Sequence, residues 1–282
     1  MPRLRKPFVI LFLGLLLPLI AGAHANTAAD NASRTRYLRF GVLPLQSPTR
    51  LAEMFMPLVA GIGRALGRPV EFVTAPSFSA FMTRVKQREY DIIYLNPLLF
   101  TEAKPAGYRA IVQVAQEPFV GILVVRKDSP LKTLSPATLP RRLRVGFPDP
   151  NAYAATIMTR QYLRKLGIPL GRDCKVQYFG SQNSVLMAVH SGLVDIAGTW
   201  PPALRSMPRA IRGDLRIIAK TPPQPQMPIA VRDDLPTAMV ERLRRYLISL
   251  SHRRAGRHIL QQLGFVHGFA ATSNQAYDKV AR

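Results

Sequence analysis

The sequence predicts an α/β chain of two lobes, each a mainly parallel sheet flanked by helices, with a two-strand hinge between them. Three observations carry that expectation. Strand-like and helix-like segments alternate through most of the chain, the pattern that builds a parallel sheet covered by helices. The order of segments then recurs about a third of the chain later. Two further stretches lie outside the recurrence, placed to run between the halves.

In chain order, residues 1–25 come first. Arg3, Arg5 and Lys6 precede an apolar run from Phe8 to Ile20, and Ala23 and Ala25 frame a small-residue cleavage site. This reads as an export signal cut after Ala25, because the apolar run is short for a bilayer span and Pro18 interrupts it. The one cysteine, Cys174, is far from that site, leaving no thiol for a lipid anchor and no intrachain disulfide. The expected location is periplasmic, and residues 26–36, polar and small, read as a disordered leader.

YLRFGVLP supplies the first strand, and a helix over Thr49–Leu66 follows, with Leu51, Phe55, Leu58, Val59, Ile62 and Leu66 on one face. Its GIGRALG ends an amphipathic helix instead of following a strand, so it is not a nucleotide loop. PVEFVTA is the second strand, FSAFMTRVKQ a helix, and the Asp-Ile strand of YDIIYLNP opens another helix at its proline. The second half repeats this: Leu38-Arg39-Phe40-Gly41-Val42 returns 105 residues later as Leu143-Arg144-Val145-Gly146-Phe147, and the Asp91 strand returns 104 residues later at Asp195. Between them come a helix over Ala152–Leu166 stopped by Gly167, the strand CKVQYFG and the helix SVLMAVHSG. The crossing stretches EPFVGILVVRKDSPLKTLSPATL and AKTPPQPQMPIAVRDDLP place lobe 1 at 37–124 and lobe 2 at 125–222, with 223–282 returning to complete lobe 1 through helices at Met239–Leu250 and Arg253–Leu263. Two crossing strands make a hinge, and a hinge between lobes leaves a cleft.

The formal charge of +23 favours anionic ligands, acidic partners or anionic envelope surfaces. Export and the scatter of the bases (Arg141, Arg142 and Arg144; Arg205, Arg209, Arg212 and Arg216; Arg242, Arg244 and Arg245) argue against nucleic acid, and most of them read as solvated faces. His190, His252, His258 and His267 have neither the spacing nor the partners of a metal site. No G-x-S-x-G is present, and Cys174 sits where a buried strand begins, so neither catalysis nor a cofactor is expected. Asp91 and Asp195 occupy equivalent places in the two halves, which points to one structural task done twice, at strand-to-helix corners, instead of an acid and base pair.

What remains is binding, at the loops after the carboxyl ends of the strands. In lobe 1 these hold Gln46, Ser47, Ser77, Phe78, Tyr94, Asn96 and Pro97; in lobe 2, Asn151, Ala152, Tyr153, Ala154, Ser181, Gln182, Asn183, Thr199 and Trp200. Phe78, Tyr94, Tyr153 and Trp200 would line a pocket, with the helix start at Asn151 to Ala154 receiving an anionic or polar end of a small ligand.

In order and spacing, GVLPLQSPTRL, LGRPVEF, YDIIYLNP, VVRKDSPLKTL, the DPN of Asp149 to Asn151, FGSQNSVLMAV and GLVDIAG resemble the phosphate, phosphite and phosphonate receptors of ABC importers. The resemblance covers roughly Leu38 to Leu250. It implies the two-lobed periplasmic binding protein fold, a monomer, and an ABC permease as partner; a membrane sensor kinase or chemoreceptor would use the same closure of lobes. It also implies a run of hydroxyl residues and a glycine after DPN, where this chain has Ala152, Tyr153, Ala154 and Ala155. Gln182 stands in place of a histidine, Asn183 in place of an acid, and Phe78 where tyrosine is common. Those changes imply a weakened phosphoryl site that keeps its helix N–H groups.

Overall fold

The structure, a computed structural model, describes residues 37–280 except 138, 140, 141, 169, 172 and 173. The expected export signal and leader lie outside the described residues. Lobe 1 opens with β1 (Leu38–Val42), α1 (Pro48–Leu66), β2 (Val70–Val73), α2 (Phe78–Lys86), β3 (Ile92–Tyr94), α3 (Pro97–Ala103) and β4 (Tyr108–Val114). Lobe 2 follows with β5 (Ile122–Arg126), β6 (Leu143–Phe147), a π-helical stretch (Tyr153–Met158) running into α4 (Thr159–Lys165), β7 (Cys174–Tyr178), α5 (Gln182–His190), β8 (Ile196–Thr199), α6 (Pro201–Ser206), α7 (Arg209–Gly213) and β9 (Leu215–Lys220). The chain then returns through β10 (Pro228–Arg232), α8 (Thr237–Ser249), α9 (Arg254–Leu263) and β11 (Phe269–Ala271). Among the described residues no helix is long and apolar enough to cross a membrane.

Two sheets result, ordered β11-β4-β10-β3-β1-β2 and β7-β6-β8-β5-β9. Each has three adjacent parallel strands, β2-β1-β3 and β7-β6-β8, which are the repeated units. The repeat extends to single atoms. The Arg39 N–H donates to Asp91 Oδ2 at 2.8 Å, and the Arg144 N–H donates to Asp195 Oδ2 at 2.8 Å. The two aspartates therefore do one task twice, but at the entry of β3 and β8, pinning the neighbouring strand, and not at the strand-to-helix corners. The corners are capped by Ser77 and Ser181, each accepting a backbone N–H at 3.1 Å in extended conformation.

α1 forms where its periodicity predicts, and its six expected apolar residues are all buried. Ser47 caps its start, Pro48 takes the first turn where no N–H is needed, and Gly67 ends it at φ 65°, in the left-handed region.

Each lobe also receives an antiparallel strand from the other side of the crossing. β5 enters the second sheet with Ile122 opposite Thr199, and β10 enters the first with Ile229 opposite Tyr94. Ile122, Leu123 and Val124, expected to close lobe 1, thus hydrogen-bond in lobe 2. The strand is buried almost throughout, so its sequence carries no alternation to say which sheet it joins. The crossing segments pair with each other: the Phe119 N–H donates to Gln224 O at 3.0 Å and the Gln224 N–H to Phe119 O at 2.8 Å.

Candidate functional site

Because β5 and β10 begin where β8 and β3 end, the crossing segments lie at the carboxyl ends of the parallel strands in both lobes. The loops that follow the parallel strands leave each sheet on that side.

In lobe 1 most of the expected residues serve the local fold. Gln46 and Ser47 are exposed at the start of α1, Ser77 caps α2, and buried Asn96 caps α3 by accepting the Leu99 N–H at 2.9 Å ahead of Pro97. Phe78 is half-buried against the lobe 1 core. Tyr94 turns into that core: its ring meets Phe55 at 5.3 Å and Phe265 at 5.7 Å, and its hydroxyl donates to Met227 Sδ at 3.4 Å. Burial pushes its phenol far above the ordinary value.

Lobe 2 presents a different corner. Asp149 organises it, with Oδ1 accepting the Asn151 N–H at 2.7 Å and its carbonyl accepting the Ala152 N–H at 3.2 Å and the Thr156 hydroxyl at 2.7 Å. The expected α-helix from Ala152 instead starts as a π-helix: Ala152 O accepts from the Thr156 N–H at 2.8 Å and the Ile157 N–H at 3.2 Å. Two glycines let this stretch lie against the sheet. A Cβ on Gly121 would collide with the Ala154 carbonyl, and one on Gly198 with the Ala155 carbonyl and the Phe147 ring. No side chain caps this helix start, unlike the starts at Ser47, Ser77, Asn96 and Ser181, and the starts of α6, α7, α8 and α9 have none either.

Around that start, Ala152, Tyr153, Ala154 and Ala155 are buried while Asn151 is exposed. Phe119 stands between two aromatic rings, stacked on Tyr153 at 5.8 Å and 15° and tilted against Trp200 at 5.8 Å and 51°. Burial pushes the Tyr153 phenol up to about 12. Gln182 Oε1 accepts the hydroxyl of fully buried Thr199 at 2.7 Å, and Ser181 and Asn183 are exposed beside it. Among the described residues no three His, Cys, Asp or Glu gather as metal ligands do.

The structure therefore joins Tyr153 to Trp200 through Phe119, and Gln182 to Thr199, while Tyr94 is drawn into the lobe 1 core. Sequence reasoning missed Phe119, which lies outside the repeat and so has no partner segment to flag it. It also missed Gly121 and Gly198, whose purpose is visible only once another segment's carbonyls lie over them.

A profile of the family described as ABC transporter, phosphonate, periplasmic substrate-binding protein matches residues 40–277. The chain belongs to that family. The phosphonates-binding periplasmic protein of Escherichia coli (strain K12) is 24% identical over 269 residues, covering 92% of this chain and 77% of the relative. PhnD1 from Prochlorococcus marinus (MIT 9301), solved in complex with methylphosphonate, has TM-score 0.77 at 18% identity, covering 87% of this chain and 96% of that one. A binding protein component of an ABC phosphonate transporter from Pseudomonas aeruginosa has TM-score 0.75 at 19% identity, covering 86% and 83%. At such identities the structural likeness is one of fold. In this member of the phosphonate-binding family, the corner after Asp149 offers backbone, the methyl groups of Ala152, Ala154 and Ala155, and the Tyr153 phenol.

Proposed function

We propose that this chain is an exported receptor of an ABC importer, which captures a small organic anion between its lobes and delivers it to a permease. Family membership over residues 40–277 and the paired crossing segments support the receptor role. The observation that carries the choice of ligand is the helix start at Ala152, which has no side-chain cap and lies beside the aromatic row Tyr153, Phe119, Trp200. A helix start favours negative charge through its N–H groups and dipole, so it takes the anionic end; the aromatic row takes an apolar or aromatic body.

Ala152, Ala154 and Ala155 supply no side-chain donors to a tetrahedral oxyanion. Each missing charge-assisted hydrogen bond is worth about 1.5–3 kcal/mol, so losing several lowers affinity for a bare phosphonate by orders of magnitude. The preferred ligand is therefore a carboxylate, or a larger organic anion with an apolar body.

Calorimetric titration with phosphite, phosphate, methylphosphonate and a panel of carboxylates tests this. A carboxylate with an apolar body is expected to bind more tightly than methylphosphonate, and Trp200→Ala to weaken it about tenfold or more. Sub-micromolar methylphosphonate binding with no response to any carboxylate would defeat the proposal.

A further inference from the structure

We propose that Gln182 is a donor-only contact for the anionic end of the ligand, held in that orientation by Thr199. The inference rests on the receptor reading above and adds to it a residue that sets which chemistry the cleft admits.

Hydrogen-bond accounting carries it. Thr199 ends β8, is fully buried and is fixed by its pairing with Ile122 of β5. Its hydroxyl has one partner among the described residues, Gln182 Oε1 at 2.7 Å, a separation usual for O–H···O and short for N–H···O. Turning the carboxamide over would set Nε2 against the hydroxyl and leave a buried O–H without an acceptor. The carbonyl therefore faces Thr199, and Nε2 with its two hydrogens faces the other way. Gln182 is half-buried, and the bond to Thr199 is the one its side chain makes among the described residues.

Position is the second observation. Gln182 is the first residue of α5, just after the capping Ser181 at the end of the β7 loop. Thr199 is followed by Trp200, whose ring meets Phe119, and preceded by Gly198, against which the Ala155 carbonyl lies. Gln182 thus bonds the residue that stands between the aromatic row and the Ala152 to Ala155 corner. A carboxylate or phosphoryl oxygen satisfies the two N–H groups, whereas an ammonium has no lone pair to offer them.

The test titrates benzoate and methylphosphonate calorimetrically into the purified protein, with the fluorescence of Trp200, the single tryptophan, as a second reading. The donors suit either oxyanion. Whichever of the two binds therefore tests Gln182, while their order of affinity tests the choice of ligand made above. Gln182→Ala is expected to weaken binding about tenfold or more, the loss when a hydrogen bond to a charged group goes. Gln182→Glu keeps the length and the acceptor for Thr199, and a carboxylate suits the first turn of a helix. It is expected to keep the wild-type melting temperature and yet to bind more weakly than Gln182→Ala. A residue that only filled space and tied α5 to β8 would give the reverse order. Thr199→Val frees the carboxamide and is expected to weaken binding about twofold to tenfold, and Thr199→Ser, which keeps the hydroxyl, to restore it. The proposal is overturned if neither anion binds, if Gln182→Glu binds better than Gln182→Ala, if Thr199→Val binds like wild type, or if Thr199→Ser does not recover the loss.

Discussion

Asp195 receives three bonds from one neighbour: the Arg144 backbone N–H at 2.8 Å, Nε at 3.2 Å and Nη2 at 2.6 Å. Burial pushes its carboxyl up, but these bonds and the Arg144 charge outweigh that and hold it below the ordinary carboxylate value. A lowered pKa in the fold means the pair stabilises the protein above about pH 4, and the contribution fades as pH falls through the folded value. With the side chains 29% and 43% exposed, solvent screening keeps the effect small. Asp195→Asn is therefore expected to lower the urea midpoint at about pH 7 and to lie closer to wild type at about pH 2. A gap of equal size at both pH values would show that the geometry of the strand entry matters and the charge does not.

At the scale of elements, the π-helical start of the Tyr153–Lys165 helix depends on bare backbone at Gly121 and Gly198. Gly121→Ala forces its Cβ against the Ala154 carbonyl, and overpacking of this kind costs about 1–3 kcal/mol. Gly213→Ala, at the end of α7 with open space around it, is expected to gain about 0.4–1 kcal/mol. Denaturant midpoints of the two variants check the contrast, and equal shifts would refute it. These positions also mark how far the sequence was legible. α1 was readable because its buried face repeats with the helical period, whereas Ser47, Ser77 and Ser181, expected to bind ligand, cap helices in the fold. The π-helix was not readable, since Ala152 to Ala155 have no residue type that distinguishes it from an ordinary first turn. β5 was assigned to the wrong sheet because a strand buried on both faces looks the same in either. For the site, Tyr153 and Trp200 were legible as corner aromatics, but only the folded chain puts Phe119 between them and turns Tyr94 inward.

For the whole molecule, one apolar cluster holds the lobe 1 core and continues through Phe119 to Tyr153, Ala154 and Met158 of lobe 2. The remaining lobe 2 core lies in two clusters on the faces of its own sheet. Phe119, in contact with both Tyr153 and Trp200, is thus one side chain through which the stability of one lobe reaches the other. Phe119→Ala is expected to cost about 3–5 kcal/mol and to turn one calorimetric unfolding transition into two. A single, merely shifted transition would place the coupling elsewhere.

The exchange of strands across the crossing has a consequence for synthesis. The second sheet is drawn from one unbroken length of chain, β5 to β9, and can close as soon as Lys220 has emerged. The first sheet lacks an interior member until β10 arrives, and an edge until β11 does, so the half that is translated first is completed last. A nascent chain of this topology keeps its first sheet unfinished until β11 has been made.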